Sequence, residues 1–584
     1  MTESTYMVGI DLGTTNSAVA FIKAGDPPEK GDFPVQQLVG PGQLEERPTL
    51  PSFLYLPSEH EFPLDQLELP WDEVATFAVG VFARDEGGKV PHRLISSAKS
   101  WLSQEGTDRR AAILPWKAPE DVPLMSPVQA SASYLKHLRD AWRFYHPGEP
   151  LKEQEVVLTV PASFDAVARE LTAEAARIAD LVNLTLLEEP QAAFYAWLEA
   201  TGDEWRSQVG VGDLILVCDI GGGTTDFSLI TVVDAEGDLG LERVAVGDHL
   251  LLGGDNLDLA LAVAVQARLK AEGTKIDTWQ FQVLTHACRA AKEALLGADP
   301  PDEVAITIPG RGSKLIGGSV QTALKLSDVK TLLDGFFPKV KANDHAERRR
   351  SLGLTELGLP YESDPAITRQ LARFLDGQKP TAVLFNGGVL KADSIRQRIL
   401  TVLNSWLKEP VRELEGGDLE LSVARGAARF ALTRRGQGIR IRGGLSRAYY
   451  IGVEIPRPAV PGVPPPIKAV CVARKGMEEG TRVEVPVARF GLVVGQTVEF
   501  PFLASAREDE VGAQLEDWED EGVEEISKVS ASLKADEHTP GVVPVSLETV
   551  ATEIGTLELW CHEREGEGRW KLEFEVREEA SARA

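Results

Sequence analysis

Asp-Leu-Gly-Thr-Thr-Asn at residues 11–16 and Asp-Ile-Gly-Gly-Gly-Thr-Thr-Asp at residues 219–226 are two closely similar stretches in one chain. Each follows a short apolar run, residues 7–10 and 214–218, and each leads back into apolar sequence. Short apolar runs bounded by glycine are typical of buried strands. The pattern therefore predicts a strand, a Gly/Thr turn and a strand, twice.

These two turns carry residue types that suit a phosphate site. Glycine lets the backbone of a turn approach a ligand closely, and the exposed N–H groups of a turn bind anionic oxygens. The aspartates at the strand ends, Asp11 and Asp219, can hold a hard cation such as Mg²⁺ through oxygen. One such turn could be an ordinary tight hairpin, but two facing each other would hold a polyphosphate from both sides. The sequence therefore predicts a nucleotide site between two related lobes.

Other common phosphate-binding and hydrolytic motifs are absent from the sequence. It contains no G-x-x-x-x-G-K-[ST], no G-x-G-x-x-G that opens a helix after a strand, no H-E-x-x-H and no G-x-S-x-G. Phosphate chemistry must therefore depend on the two Gly/Thr turns.

Composition narrows the class of protein. The chain has 584 residues, of which 43% are apolar, and its 89 acidic against 61 basic residues give a net charge of −28. This length predicts several domains, and the acidic balance disfavours nucleic acid as a partner. The cysteines form no C-x-x-C, and no apolar run approaches the roughly 20 residues of a membrane span. With no signal-peptide pattern at residues 1–6, we expect a soluble, cytoplasmic protein without nucleic-acid or membrane partners.

Two kinds of sequence pattern divide the chain into two regions. Up to about residue 434, strand-like runs such as residues 156–160 alternate with helix-like patterns such as residues 165–181, which predicts α/β lobes. Beyond a basic, Gly-rich stretch the pattern has a period of two. Residues 557–561 and 570–576 are predicted to form a hairpin, and the region as a whole is predicted to be antiparallel β.

Several motifs in order resemble one superfamily. Residues 8–21 (VGIDLGTTNSAVAF), residues 216–230 (LVCDIGGGTTDFSLI) and Phe385–Gly388 resemble the two phosphate motifs and the adenosine motif of the actin-like ATPases. Four shorter motifs are similar to those of the DnaK family, the seventy-kilodalton heat-shock chaperones: LTVPASF at 158–164, EEPQAAF at 188–194, LGGD at 252–255 and ARGAA at 424–428. The resemblance covers roughly residues 6–432.

The resemblance implies a fold. It is an α/β, actin-like (ribonuclease H-like), two-lobed ATPase domain followed by a C-terminal antiparallel β-sandwich. We expect the ATPase domain at 1–434 (lobe I about 1–210, lobe II about 211–434), a linker at 435–446, the β-sandwich at 447–578 and a tail at 579–584.

The resemblance also implies roles at the centre of the site. Asp11 and Asp219 would hold the magnesium shell, largely through water. Asp226 would join Asp219 and Thr224 around the attacking water or a monovalent ion such as K⁺, so the three aspartates are the metal candidates. The implied catalytic residues are Lys99, Glu189, Asp219 and Thr224, although the sequence around Lys99 alone would indicate a surface lysine.

A second set of residues is implied to hold ATP or ADP. These residues come from the two turns, from the LGGD motif and from the sugar and base side of the site. They are Gly13, Thr14, Thr15, Asn16, Gly221, Gly222, Gly223, Thr224, Gly253, Gly254, Lys292, Gly387 and Gly388.

The chain departs from the family at several positions. Arg289 and Glu293 invert the charges expected on the helix beside the adenosine, and Val389 replaces a small polar residue. We therefore expect adenine contacts unlike those of the family. The family implies a J-domain co-chaperone and a nucleotide exchange factor as partners, but Thr185 stands where a basic residue often serves the J-domain. The sequence after residue 576 has no room for the family's helical lid, so we expect a lidless, divergent member.

These implications favour one function. We predict a Mg-dependent ATPase that converts ATP to ADP and phosphate, acting as a DnaK-like chaperone for unfolded or extended polypeptides in protein folding and the stress response. The alternative is a nucleotide-sensing scaffold whose β domain binds a folded partner. A sugar or small-molecule kinase of the same superfamily is a third hypothesis, and the appended β domain argues against it.

Overall fold

The structure is a computed structural model. It describes residues 4–59, 61–104, 107–235, 238–310, 319–346, 359, 362–436, 445, 447–458, 465–477, 480–486, 490–493, 497–532, 542–552, 557–564, 566 and 568–575.

The described strands follow each other in this order: β1 (Tyr6–Leu12), β2 (Asn16–Lys23), β3 (Glu29–Asp32), β4 (Val35–Gly40), β5 (Gln43–Arg47), β6 (Thr49–Pro51), β7 (Leu54–Tyr55), β8 (Ala78–Val79), β9 (Leu94–Ile95), β10 (Glu155–Val160), β11 (Leu184–Glu188), β12 (Leu214–Ile220), β13 (Thr225–Ala235), β14 (Asp238–Val246), β15 (Glu303–Ile308), β16 (Val320–Lys325), β17 (Ala382–Asn386), β18 (Arg412–Glu413), β19 (Ala448–Glu454), β20 (Ile467–Ala473), β21 (Arg482–Glu484), β22 (Phe490–Val493), β23 (Thr497–Ser505), β24 (Gln514–Leu515), β25 (Glu524–Ser532), β26 (Val542–Ala551), β27 (Leu557–Glu563) and β28 (Arg569–Glu575).

The described α-helices are α1 (Val81–Gly87), α2 (Ala98–Leu102), α3 (Pro127–Tyr145), α4 (Ala166–Ile178), α5 (Glu189–Thr201), α6 (Trp205–Gln208), α7 (Gly254–Ala271), α8 (Thr278–Leu295), α9 (Leu326–Phe336), α10 (Ile367–Leu375), α11 (Asp393–Trp406) and α12 (Ser422–Arg434). Short 3-10 turns lie at Leu64–Gln66, Pro91–Arg93, Leu151–Glu153, Gly202–Glu204 and Gly388–Lys391. None of these helices combines the length and the apolar character that a membrane span requires, as far as the described residues go.

The chain forms two compact units. The first comprises Met1–Leu102, Ala111–Ser163 and Glu174–Arg440, and the second comprises Ser103–Arg110, Phe164–Ala173 and Ile441–Ala584. The predicted domain boundaries stay predictions. Most of the predicted linker at 435–446 and all of the predicted tail at 579–584 lie outside the described residues.

Two sheets of the first unit share one topology. Over the described residues, one sheet has the order β3-β2-β1-β10-β11, with β6 also beside β2, and the other has the order β14-β13-β12-β17-β18. In each, the first three strands along the chain are antiparallel, a later strand pairs in parallel with the central strand, and the last strand pairs in parallel with that neighbour. The loops that leave β1 and β12 therefore occupy equivalent positions.

The sequence located these central strands correctly. The apolar runs 7–10 and 214–218 lie within β1 and β12, and residues 156–160 lie within β10. Both faces of these strands are covered, so nearly every side chain along them is buried. This explains why their sequences are continuously apolar, and it confirms the predicted α/β class.

The second unit contains an antiparallel sheet. Its order, over the described residues, is β21-β26-β27-β28-β25-β23-β19-β20-β24, with β22 also beside β26. Strand β26 alternates buried positions with exposed or half-buried ones, and Tyr449 stacks on Phe502 with ring centroids 5.4 Å apart. Strands β27 and β28 pair with Leu559 opposite Leu572, which confirms the predicted hairpin. The sandwich arrangement of this region stays a prediction.

A buried histidine in the first unit predicts a pH-dependent stability. His137, on α3, is 6% exposed, and its Nε2 lies 2.9 Å from the carbonyl oxygen of Gln36, so Nε2–H donates. Burial lowers the pKa of His137 from 6.5 to about 4. On acidification, His137 therefore takes up a proton near pH 6.5 in the unfolded chain but only near pH 4 in the folded chain. The contribution to stability is complete above pH 6.5, and about 3 kcal/mol is lost as the pH falls through this window.

A His137→Gln variant tests this prediction, because glutamine supplies a comparable N–H donor but does not titrate. Denaturation of both proteins should be followed between pH 7.5 and pH 4.5. We expect the parent to lose more stability than the variant on acidification. Equal losses in the two proteins would contradict the role given to His137.

Candidate nucleotide site

The central strands β1 and β12 each carry an aspartate one residue before the strand ends, Asp11 and Asp219. On β12, the register places Asp226 of β13 opposite Asp219 on one side and Asn386 of β17 on the other. Paired residues of neighbouring strands point to the same face of a sheet. The sheet register therefore brings two predicted metal candidates and the asparagine of the adenosine motif together.

The two Gly/Thr loops lie against each other. A Cβ atom added to Gly222 would overlap Oγ1 of Thr15, and one added to Gly223 would lie 2.6 Å from Cγ2 of Thr14. Only glycine lets the second loop approach the first this closely. The structure thus brings the predicted phosphate-binding residues of both loops to one place.

Each loop is held by a neighbouring segment. Ser52 fixes the first loop: its Oγ donates to the carbonyl of Gly13 (2.7 Å), and its N–H donates to the carbonyl of Thr15 (2.9 Å). The start of α7 fixes the second loop, because the N–H of Gly254 donates to Gly221 (3.1 Å) and that of Asp255 donates to Gly222 (2.7 Å). The LGGD motif is therefore part of the same site, with the N-terminal end of α7 beside the second loop.

Lys99 lies within a group of carboxylates. It is 5% exposed, on α2, and forms an ion pair with Glu189, the first residue of α5. Burial alone would lower the pKa of Lys99, but the carboxylates of Glu189 and Asp11 raise it above its ordinary value. The indication of a surface lysine was wrong, because that local pattern cannot reveal a partner 90 residues away.

The acidic residues of the site repel one another. Burial, together with the nearby Glu189 carboxylate, raises the pKa of both Asp11 and Asp219. The Oγ1 of Thr159 donates to Asp11 (3.1 Å), and the Nδ2 of Asn386 donates to Asp219 (2.6 Å). These bonds fix the two carboxylates without neutralising their charge.

Asp226 has a different environment. Ser163 Oγ donates to its Oδ1 (2.5 Å), and the Nδ1 of His249 lies 3.1 Å from the same oxygen. Burial favours the neutral carboxyl, but His249, Ser163 and Lys99 outweigh it and lower the pKa of Asp226. Asp226 is therefore held as an oriented anion by residues of the chain itself.

The sugar and base side of the site is formed by α7, α8 and the turn after β17. Lys292 lies on α8, and its Nζ donates to the carbonyl of Gly254 (3.1 Å) and pairs with Asp258 (2.7 Å). A Cβ added to Gly254 would lie 3.2 Å from Cγ2 of Val389, whereas one added to Gly388 would meet nothing within 4 Å. Glu293, at the position of the expected adenine-stacking arginine, is exposed.

The residues present fit a magnesium–nucleotide complex. Thr15 Oγ1 is buried between the loops and has no hydrogen-bond partner among the described residues, so its hydroxyl can donate to a phosphate oxygen. The repelling carboxylates of Asp11 and Asp219 offer the hard oxygen donors that Mg²⁺ prefers. Over the described residues, no three acidic, His or Cys side chains lie close enough together to bind an ion directly. A shell completed by water and phosphate oxygens is the arrangement that fits.

Sequence reasoning missed several residues of the site. Ser52 and His249 were not singled out, and Ser163 was quoted only as part of a motif. Their partners lie 39, 23 and 63 residues away along the chain. Glu293 and Val389, in contrast, were marked as departures from their residue types alone.

Comparison with known proteins agrees with this geometry. Residues 103–342, which include Glu189 and Asp219, match the family model described as Hsp70 protein. The chain is 32% identical over 302 residues to the Chaperone protein HscA homolog of Aeromonas salmonicida strain A449, and 33% identical over 308 residues to that of Pseudomonas aeruginosa strain UCBPP-PA14. It is also 32% identical over 303 residues to the Chaperone protein HscA of Serratia proteamaculans strain 568.

These matches are partial. Each covers 50% of this chain and 42% of the relative, so the chain matches less than half the length of these relatives. The region that matches the family model, residues 103–342, contains the second loop, which forms one half of the site. Residues 103–342 are thus similar to the Hsp70 family, the DnaK-type seventy-kilodalton heat-shock proteins, whose fold is that of the actin-like ATPases.

Proposed function

We propose that this protein is an ATP-hydrolysing chaperone that binds a magnesium–nucleotide complex between its two Gly/Thr loops. The observation that carries the proposal is the direct approach of Gly222 to Thr15, with Lys99 and four acidic residues beside it. The similarity of residues 103–342 to the Hsp70 family, and the chaperone names of the relatives, support the word chaperone. The cytoplasmic location predicted above belongs to the same proposal.

The proposed chemistry is phosphoryl transfer to water. Such transfer depends on positioning and on charge neutralisation, with little covalent chemistry by the protein. Bound Mg²⁺, held through water by Asp11 and Asp219, would supply positive charge to the phosphate oxygens. Lys99 would supply more, since its buried ammonium group keeps its proton. Asp219, fixed by Asn386, would orient the attacking water, and Thr224 would assist it.

The second part of the proposal concerns partners. We assign unfolded or extended polypeptides to the antiparallel β region, residues 447–578, where an extended segment could add to a strand or lie in an apolar groove. A J-domain partner is not favoured at Thr185, which is 5% exposed and hydrogen-bonded to Arg434. K⁺ remains the candidate monovalent ion beside Asp226, and a nucleotide exchange factor remains a candidate partner.

Steady-state ATP turnover of the full chain tests this function. Turnover is to be measured with Mg²⁺ or with EDTA, and with or without a permanently unfolded polypeptide, in parallel with the aggregation of a denatured client protein. We expect turnover that requires Mg²⁺ and rises when the polypeptide is added, and ATP-dependent suppression of aggregation. If added polypeptide does not change ATP turnover and the protein does not suppress aggregation of the client, the nucleotide-sensing scaffold becomes the better-supported function.

A further inference from the structure

Arg289 is a residue of the site that neither the resemblance nor the proposed chemistry explains. It lies on α8, one turn before Lys292, and its side chain is 16% exposed. Its Nη2 pairs with Asp255 and its Nε donates to Asp258 (3.0 Å). Nη1 is buried and has no hydrogen-bond partner within the described part of the chain. A buried donor without a partner is costly, so Nη1 is suited to donate to a ligand.

The position of the guanidinium indicates which ligand. Asp255, which holds it, donates its own N–H to Gly222 of the second loop. The guanidinium carbon lies 5.4 Å from the ring centroid of Phe53, the neighbour of the Ser52 that fixes the first loop. Arg289 is thus linked, through Asp255 and Phe53, to the segments that hold both Gly/Thr loops, and we expect the bound nucleotide to lie beside it.

Charge alone does not explain this residue. Arg289 and Lys292 face Asp255 and Asp258, so the four side chains together are neutral. What Arg289 still offers a ligand is therefore a hydrogen-bond donor in a fixed direction, its Nη1 group. A guanidinium cannot act as an acceptor, and it suits an acceptor oxygen of a phosphate or a sugar.

We propose that Nη1 of Arg289 donates a hydrogen bond to an acceptor oxygen of the bound nucleotide, on its phosphate chain or its ribose, and so helps to select that nucleotide. This inference rests on the proposed nucleotide-binding function. It assigns a binding role to a residue that the sequence marked only as a charge inversion.

Arg289→Lys is the informative variant, because it keeps the positive charge and removes the guanidinium nitrogens. Arg412→Lys is the matched control: it makes the same change at an exposed arginine on β18, whose guanidinium pairs with Asp213 at the surface (2.7 Å). Affinities of the full chain for AMP-PNP, ADP, AMP and adenosine are to be measured by calorimetry, with 2′-deoxy-ADP and 3′-deoxy-ADP as further ligands. We expect Arg289→Lys to weaken ADP or AMP-PNP binding by about 10-fold or more, and Arg412→Lys by less than about 3-fold.

The ligand series locates the acceptor. A loss confined to nucleotides with β- or γ-phosphates places it on the phosphate chain. A loss that extends to adenosine, and that disappears for one deoxynucleotide, places it on that ribose hydroxyl. Equal affinity of the parent and Arg289→Lys for every ligand would overturn the proposal.

A thermal measurement separates binding from folding. At a fixed, high concentration of ADP, the rise in the thermal midpoint grows with the logarithm of the affinity of ADP for the folded state. We expect this ADP-induced rise to be smaller in Arg289→Lys than in the parent, whatever the midpoints without ligand. An unchanged rise would reject the contact while leaving the proposed function intact. A parent protein that binds no nucleotide would reject the proposed function itself.

Discussion

An Asp219→Asn variant is expected to keep ATP bound and to hydrolyse it roughly 10²–10⁴-fold more slowly than the parent, the range for loss of a positioned acid–base group. Asparagine has the shape of aspartate and can still accept the hydrogen bond from Asn386. It has no negative charge to orient an attacking water or to receive its proton. Single-turnover hydrolysis and nucleotide affinity should be measured on the same preparation.

Asp213→Asn is the matched control for this prediction. Asp213 immediately precedes β12 and pairs at the surface with Arg412 (2.7 Å) and Thr381 (2.6 Å), six residues from Asp219 along the chain. Surface pairs contribute about 1 kcal/mol or less, so this variant should hydrolyse ATP at the parental rate. Undiminished turnover in Asp219→Asn would remove Asp219 from the catalytic residues. Loss of ATP binding in that variant would instead assign Asp219 to nucleotide binding alone.

The parts of this fold that sequence could predict are local. Continuous apolar runs ending in Asp-x-Gly mark β1 and β12, because buried central strands have no polar face and their ends must turn. The alternation in residues 557–576 marks a hairpin, because one face of β27 is buried and its other face is only half-buried. In each case the physical constraint acts on neighbours in the chain.

The parts that sequence could not predict are long-range pairings. Lys99 becomes a buried ion-pair partner only because α2 lies beside the start of α5. Asp226 is oriented by Ser163 and His249, whose spacing along the chain carries no periodic pattern. The family resemblance supplied Lys99, but it could not supply His249 or the partners of Arg289. Those contacts depend on how the segments pack, and only the structure shows them.

A Gly426→Ala variant is expected to destabilise the first unit by about 3 kcal/mol, at the upper end of the usual cost of overpacking. Gly426 lies in the middle of α12, and an added Cβ would overlap the carbonyl oxygen of Ala192 on α5 and lie 2.6 Å from its carbonyl carbon. Backbone atoms inside a helix cannot rotate away as a side chain can. The two helices would therefore have to separate. In a denaturant titration, the unfolding transition of the first unit should then move to a lower denaturant concentration.

Gly335→Ala is the control that isolates this effect. Gly335 also lies in a helix, α9, but it is exposed and an added Cβ would meet nothing within 4 Å. Alanine favours helix over glycine by about 0.5–1 kcal/mol, so this variant should be as stable as the parent or slightly more stable. If both variants shifted the transition equally, helix propensity and not close packing would be the cause, and the prediction for Gly426 would be wrong.

The consequence of Gly426→Ala should extend to the nucleotide site. On its other side α12 contacts β1, where a Cβ on Gly9 would overlap the carbonyl oxygen of Ala424 and lie 2.5 Å from the nitrogen of Ala428. Helix α12 thus fits closely between the strand that carries Asp11 and the helix that begins with Glu189. The small residues of the ARGAA motif set the distance between those two carboxylates. We therefore expect Gly426→Ala to lower both the affinity for ADP and the stability of the first unit. Gly335→Ala should leave the affinity for ADP unchanged and the stability unchanged or slightly raised.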